Sequence, residues 1–219
     1  MIRRHLLFAL VLLACASAPA LALGPVDGEF GVIYWLSDTD ITVAGDTGSW
    51  DSEDIGFHGQ LWLAKWGLRA GVYKTDLDIG NGAQITYSHL DVQRKLFAPT
   101  ENNFFALGLG WQQVKIDTDL SNTASGLRLS AEARIGLVGV IYLYGDGAYY
   151  ISLGDFDTEL TNPEGWEVEV GISYKPAPFI NFRAGYRAHT LDVDTPDLGP
   201  GTGGSIEPSG LILGASVNF

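Results

Sequence analysis

The sequence predicts an all-β chain, an antiparallel up-and-down transmembrane β-barrel of ten strands, with eight as the alternative count. Three observations carry this. Apolar and polar residues alternate with period two along most of residues 28–219, the connections between these runs are short and long in turn, and the last run ends the chain on Phe219. Period-two alternation sends successive side chains to opposite faces of a strand. Short turns at one end and longer loops at the other are the arrangement of a barrel that crosses a membrane.

The runs lie near 28–37, 54–64, 68–75, 83–97, 104–116, 125–136, 139–154, 165–175, 179–191 and 209–219, each bounded by turn signals. The third is the shortest, and miscounting it along with a neighbour would give eight strands. The fourth is irregular: its apolar phase shifts between Tyr87 and Leu90, which points to a β-bulge. The sixth is the clearest, with Leu127, Leu129, Ala131, Ala133 and Ile135 alternating with Arg128, Ser130, Glu132, Arg134 and Gly136. In the eighth, Trp166, Val168, Val170, Ile172 and Tyr174 oppose Glu167, Glu169, Gly171, Ser173 and Lys175. In the ninth, Ile180, Phe182, Ala184 and Tyr186 oppose Asn181, Arg183, Gly185 and Arg187. The tenth sets Leu211, Leu213, Ala215, Val217 and Phe219 against Ile212, Gly214, Ser216 and Asn218.

The short connections follow the even strands: Lys65-Trp66-Gly67, Ala98 to Asn103, Leu137-Val138 and Pro176-Ala177-Pro178. Those after the odd strands are longer, reaching 38–53 and 192–208. An even strand count puts both termini on the short-turn, periplasmic side.

Charge separates this reading from a soluble barrel. Arg128, Glu132, Arg134, Glu167, Glu169, Arg183 and Arg187 share the polar face, on three adjacent strands by our reading. In a membrane they must face the lumen, because a charge on the lipid face is costly at mid-depth. A lipocalin-type barrel would instead turn its apolar side chains inward. Aromatics gather at both ends of the spans. Trp66, Phe97, Phe104, Phe105, Phe179, Phe182 and Phe219 lie on the turn side, and Trp35, Trp111, Tyr149, Trp166 and Tyr186 toward the loops. That distribution is similar to the paired aromatic girdles at the two membrane interfaces.

The N-terminus reads as a leader. Met1-Ile2-Arg3-Arg4-His5 is basic, Leu6 to Leu13 is apolar, and Ala20-Leu21-Ala22 fits an A-x-A cleavage site. The apolar run is shorter than the ~20 residues of a membrane-spanning helix. Residues 1–22 are therefore expected to be a signal peptide and 23–219 one barrel domain. Cys15, the one cysteine, sits in a loose lipoprotein-like box, but the A-x-A site lies further on and ordinary cleavage is expected.

The final strand and its terminal Phe219 resemble the C-terminal signal of bacterial outer-membrane barrels, which the barrel-assembly machinery reads. The whole predicted domain resembles the class of small outer-membrane β-barrels that includes the OmpA barrel domain and OmpX, by architecture rather than by a specific motif. The resemblance implies a Gram-negative, integral outer-membrane location, with lipid, lipopolysaccharide and the assembly machinery as partners, and a monomer.

The chain has 26 Asp and Glu against 13 Lys and Arg, a formal net charge of −13. So acidic a chain is not expected to bind nucleic acid. We assign most of the acid to the long loops and their shoulders. There Asp38/Asp40, Asp76/Asp78, Asp117/Asp119, Asp155/Asp157 and Asp192/Asp194 all have D-x-D spacing. On a strand end this spacing points both carboxylates to one side. Clustered carboxylates are hard oxygen ligands for Ca²⁺ or Mg²⁺, which would bridge the loops to lipopolysaccharide phosphates; none has the full calcium-loop pattern. No other cofactor is expected.

Inside, the seven lumen charges alternate in sign, as a salt-bridge plug would. Gly56, Gly71, Gly108, Gly110, Gly136, Gly171, Gly185 and Gly214 on inward positions would widen the interior and favour a thin pore. No catalytic residues are assigned. Ten strands is similar to the omptin proteases, and Asp76 with Asp78 suits their acidic pair, but His189 lies in Arg187-Ala188-His189 and the Asp-x-His is missing. Ser88 and His89 are adjacent and face opposite ways. The expected role is structural or interactive, with a narrow channel for small solutes or cations second and a membrane-embedded enzyme third.

Overall fold

Ten antiparallel strands are found among the described residues of the computed structural model, which are 26–77, 82–100, 103–117, 121–156, 160–195 and 202–219. The leader reading, Cys15, Asp78, Asp119 and Asp157 lie outside them. The strands are β1 (Val26–Val43), β2 (Asp46–Leu63), β3 (Trp66–Leu77), β4 (Ala83–Thr100), β5 (Asn103–Asp117), β6 (Ser121–Val138), β7 (Ile141–Leu153), β8 (Thr161–Ala177), β9 (Ile180–Asp194) and β10 (Gly203–Asn218). Each pairs with its sequence neighbours, and β1 pairs with β10 in register Glu29↔Asn218 through Val43↔Gly204, closing the barrel.

Closure removes every sheet edge, so backbone polar groups are paired within the wall. The lipid-facing band is apolar on every strand: Phe30, Ile55, Phe57, Leu68, Val72, Leu90, Val92, Leu107, Leu109, Leu127, Leu129, Leu143, Val170, Ile172, Leu211 and Leu213 are all exposed. In a soluble protein such a surface would drive association; here it matches hydrocarbon.

The strands run beyond this band, and their polarity inverts as they do. Along β9, Phe182 and Tyr186 face outward while Arg187 and His189 are buried; a few residues on, Asp192 and Asp194 face outward while Leu191 and Val193 are buried. Along β5, exposed Leu109 and Trp111 give way to outward Gln113, and buried Gln112 gives way to buried Val114. Along β1, outward Phe30 gives way to Asp38 and Asp40, and buried Glu29 to Ser37 and Thr39. The inversion marks the outer membrane boundary: below it the solvent for the outer face is lipid, above it water.

This corrects the expected loops at 38–53 and 192–208. They are largely strand, with only Ala44-Gly45, both at positive φ, turning β1 into β2, the geometry of a two-residue type I′ hairpin. Along β1 and β2 carboxylates point out and Ser37, Thr39 and Ser52 in, whereas along β9 Leu191 and Val193 point in, so strand parity continues while the apolar face switches. The connections at 154–160 and 195–202 remain the longer ones, and those at the periplasmic end, such as 64–65 and 139–140, are tight. The irregularity in β4 is also elsewhere. Tyr87, His89, Asp91 and Gln93 continue inward without a break, and the register shifts lie at Lys95–Thr100.

Candidate functional site

All seven sequence-predicted lumen charges face inward. They are not on three adjacent strands, because β7 lies between β6 and β8 and adds Asp146. Arg128, fully buried, donates from Nη2 to Glu167 Oε1 at 2.6 Å and from Nη1 to Gln112 at 2.7 Å, and its Nε lies 3.2 Å from Asp91. Arg134 donates to Glu132 at 2.9 Å, to Gln60 at 2.8 Å and to Glu29 at 3.3 Å. Arg183 donates to Glu29 at 2.7 Å, and Arg187 pairs with Glu169. Arg69 bridges Asp91, at 3.2 Å, to Asp146.

Sequence reasoning missed Glu29, Arg69, Asp91 and Asp146. The signal was parity: each sits on the same alternating face as buried neighbours, but beside Gly31, Gly71, Gln93 or Tyr144 rather than a run of charges it did not stand out. Three histidines complete the set. His58 lies 3.4 Å from Glu29, and His189 Nδ1 lies 3.3 Å from Tyr150 Oη and Nε2 3.5 Å from Glu167. His89 is buried beside Tyr73, ring centroids 5.8 Å apart.

Packed side chains flank this network at both ends. On the periplasmic side Trp62 and Phe104 pack edge to face at 5.5 Å, with the Lys95 ammonium 4.2 Å from the Trp62 ring and 4.7 Å from Phe104. On the extracellular side Leu77, Ile85, Val114, Leu191, Val193 and Ile206 form an apolar layer, beside a knot of hydroxyls in which Ser37, Ser52, Thr39 and Thr75 bond one another at 2.9 to 3.3 Å. Two residues expected in the aromatic girdles therefore belong inside: Trp35 and Phe104 are 1% and 4% exposed. Trp66, Phe97, Phe105, Phe179, Phe182 and Phe219 on one side, and Trp111, Tyr149, Trp166 and Tyr186 on the other, do face outward.

Several of the inward glycines lie against large side chains. A Cβ on Gly71 would stand 2.6 Å from His89 Cε1 and 2.8 Å from Tyr73 Oη, one on Gly56 2.7 Å from the Tyr73 ring, one on Gly214 2.7 Å from Arg183 Cγ, and one on Gly185 2.6 Å from Tyr144 Oη. They are the seats of the large side chains that fill the lumen. A cavity of about 40 Å³ remains among Arg69, Glu132, Asp146, Glu169, Arg183 and Arg187, space for about three water molecules.

The acid lies on the outer wall above the boundary. Asp38 pairs across β1–β2 with Asp51, Asp40 across β1–β10 with Glu207, and Glu164 across β8–β9 with Asp192. Asp38, Asp40, Asp51, Glu53, Asp76, Glu164, Asp192, Asp194 and Glu207 are exposed. Asp54 is the exception, buried and accepting the Asp76 N–H at 2.9 Å. Asp38 and Asp40 share a face as the D-x-D spacing requires, as do Asp192 and Asp194. Like charges directly opposite one another are unfavourable. Partial burial, then Glu207 and Glu164, push the Asp192 carboxyl above its ordinary range. Asp117 goes the other way, lowered by hydrogen bonds from Lys115 and Ser121. Asp155 accepts the Asn162 N–H at 2.8 Å. Among the described residues no three His, Cys, Asp or Glu side chains converge as a metal site. An open depression lies beside Glu164, Asp192, Asp194 and Ser205.

The enzyme-like pieces are not brought together. Asp76 is on the outer wall, His189 is 2% exposed inside the lumen, and Ser88 and His89 point to opposite faces.

The chain is similar in structure to the outer membrane protease OmpT from Escherichia coli, with a TM-score of 0.57 and 10% identity over 93% of this chain and 100% of that one. It is also similar to the Neisserial surface protein NspA, with a TM-score of 0.43 and 12% identity over 90% of this chain and 98% of that one. For Ail of Yersinia pestis the TM-score is 0.32, with 14% identity over 88% of this chain and 99% of that one. At such identities the OmpT likeness is one of fold. No curated protein matches the sequence. The model of the outer membrane protein beta-barrel domain matches residues 8–219. The chain belongs to that family, and it is an integral outer-membrane β-barrel.

Proposed function

We propose that this barrel is a closed, non-catalytic envelope protein that acts through its acidic outer wall, in envelope integrity, adhesion, or contact with lipopolysaccharide and external ligands. The observation that carries this reading is the filled lumen. Charged side chains pair across it, an aromatic layer lies below and an apolar layer above, whereas a row of carboxylates stands outward on β8, β9, β10, β1 and β2.

Carboxylates such as Asp38, Asp51, Asp192 and Glu164 stand just beyond the lipid-facing band, at the level of lipid phosphates. Two anionic surfaces repel unless a cation lies between them, so Ca²⁺ or Mg²⁺ would bridge them. With no three ligands converging among the described residues, such ions are shared with the lipid rather than chelated by the protein. The partners are therefore outer-membrane lipid, lipopolysaccharide and, during biogenesis, the assembly machinery, with the barrel a monomer.

The test is thermal stability in bilayers containing lipopolysaccharide, with Mg²⁺ and after chelation. Wild type should lose stability on chelation, and a variant carrying Asp38→Asn, Asp51→Asn and Asp192→Asn should lose much less. Equal losses would refute contact through the acidic wall. A narrow channel would require the lumen network to rearrange, and ion conductance in planar bilayers decides for or against it.

A further inference from the structure

Two consecutive residues at the start of β1 hold the end of β10 from opposite faces. On the outside, Gly28 N–H donates to Phe219 O at 2.8 Å and Phe219 N–H donates to Gly28 O at 2.9 Å. The Phe219 ring lies across Gly28, where a Cβ would stand 2.5 Å from its Cζ and 2.9 Å from its Cδ2. Any side chain at position 28 would displace the ring.

On the inside, the Glu29 carboxylate is 6% exposed and collects donors from across the barrel. It accepts from Ser216 Oγ on β10 at 2.7 Å, Arg183 on β9 at 2.7 Å, Asn181 on β9 at 3.3 Å and Arg134 on β6 at 3.3 Å, with His58 on β2 at 3.4 Å. Among the described residues Glu132, the comparable carboxylate on β6, reaches Gln60, Arg134 and Arg69, on β2, β6 and β3 rather than on β9, β10 or β1.

Strand alternation explains how one dipeptide does both: residues 28 and 29 point to opposite faces. Topology explains why it matters. The β1–β10 seam joins the ends of the chain, and Ser216 lies 187 residues from Glu29. Contacts of such separation come with the largest loop-closure entropy, so they form late. We propose that Gly28 and Glu29, with Phe219, Ser216 and Arg183, form a two-sided latch: its closing completes the barrel, and its release starts unfolding.

Interactions absent from the folding transition state govern the unfolding rate and leave folding nearly unchanged. The experiment compares Glu29→Gln, Gly28→Val and Glu132→Gln in lipid vesicles, each also carrying a cysteine pair across the seam, Phe30→Cys with Val217→Cys, or a control pair, Val92→Cys with Leu109→Cys. Both pairs face each other in register, and Cys15 is replaced by Ser. Latch variants should unfold roughly tenfold faster or more, with folding changed by less than about twofold. Oxidising the seam pair should restore them; oxidising the control pair should not. Glu132→Gln should gain no more from the seam bond than from the control bond. Where Glu29→Gln fails to fold, Gly28→Val carries the same comparison. Equal rescue by both pairs, or no rescue by the seam pair, overturns the latch.

Discussion

Arg128 and Glu167 meet at 2.6 Å inside a wall whose outer face is hydrocarbon, on strands separated by β7. The pair spans the lumen chord between β6 and β8, and with Asp91 and Gln112 on Arg128, and Tyr150 and His189 against Glu167, it ties the upper lumen together.

Removing the cation should therefore be costly. Arg128→Met leaves Glu167 and Asp91 without it in a desolvated site, and breaking a buried pair in this way costs about 3–5 kcal/mol. Urea unfolding in lipid vesicles measures it. Adding Glu167→Gln should recover part of the loss, since residues in one network couple. Full additivity would mean the two do not interact.

The glycine seats make a prediction opposite to that of a pore lining. Gly71→Ala should destabilise by about 1–3 kcal/mol through overpacking against His89 and Tyr73. His89→Ala in the same chain should return part of it. A neutral Gly71→Ala would mean the lumen has room to spare.

The polarity inversion sets the membrane boundary residue by residue. Leu129→Arg, at an exposed position in the band on β6, should cost about 2–4 kcal/mol if it lies near mid-depth. Asp51→Arg, outward on β2 above the boundary, should change stability by about 0.5 kcal/mol or less. Similar costs at both sites would place the boundary wrongly.

Much of this was legible in the sequence because lipid imposes a simple code. Where Leu127 to Ile135 alternate with Arg128 to Gly136, both faces and the burial of each charge follow from period two alone. The code weakens at the boundary. Thr39 and Ser52 point inward and Asp38 and Asp51 outward, so polar residues occupy both faces and the apolar face that marks a strand in the band is lost. Trp35 and Phe104 were misassigned because an aromatic at a strand end suits a girdle or a core equally, and parity decides. The glycines misled for a different reason. A missing side chain reads as empty space in one strand, and only the partner strands show that Tyr73, His89, Tyr144 and Arg183 fill it. Glu29 escaped because cross-barrel partners such as Arg134 and Arg183 leave no mark in local sequence, and Asp91 because its partner Arg69 is fixed only by the β3–β4 register.

The acidic wall carries a pH signature. Burial and the like charges of Glu207 and Glu164 raise the Asp192 carboxyl in the folded state. For a raised carboxyl the charged form destabilises the fold: the penalty is present above the folded-state value and disappears as pH falls below the unfolded one. Asp192→Asn should therefore raise the melting temperature at pH 7 and leave it unchanged at pH 3. A lowered melting temperature at pH 7 would mean that Asp192 has a stabilising partner.

A shut lumen passes no ions, and ion conductance in planar bilayers tests for it. The protein should first be shown to be folded, by resistance to SDS until heated and a shift in mobility on boiling. Folded protein should give no conductance steps under gradients of K⁺ or Ca²⁺. Discrete cation-selective steps that change when Glu132 or Glu167 is neutralised would establish a pore instead.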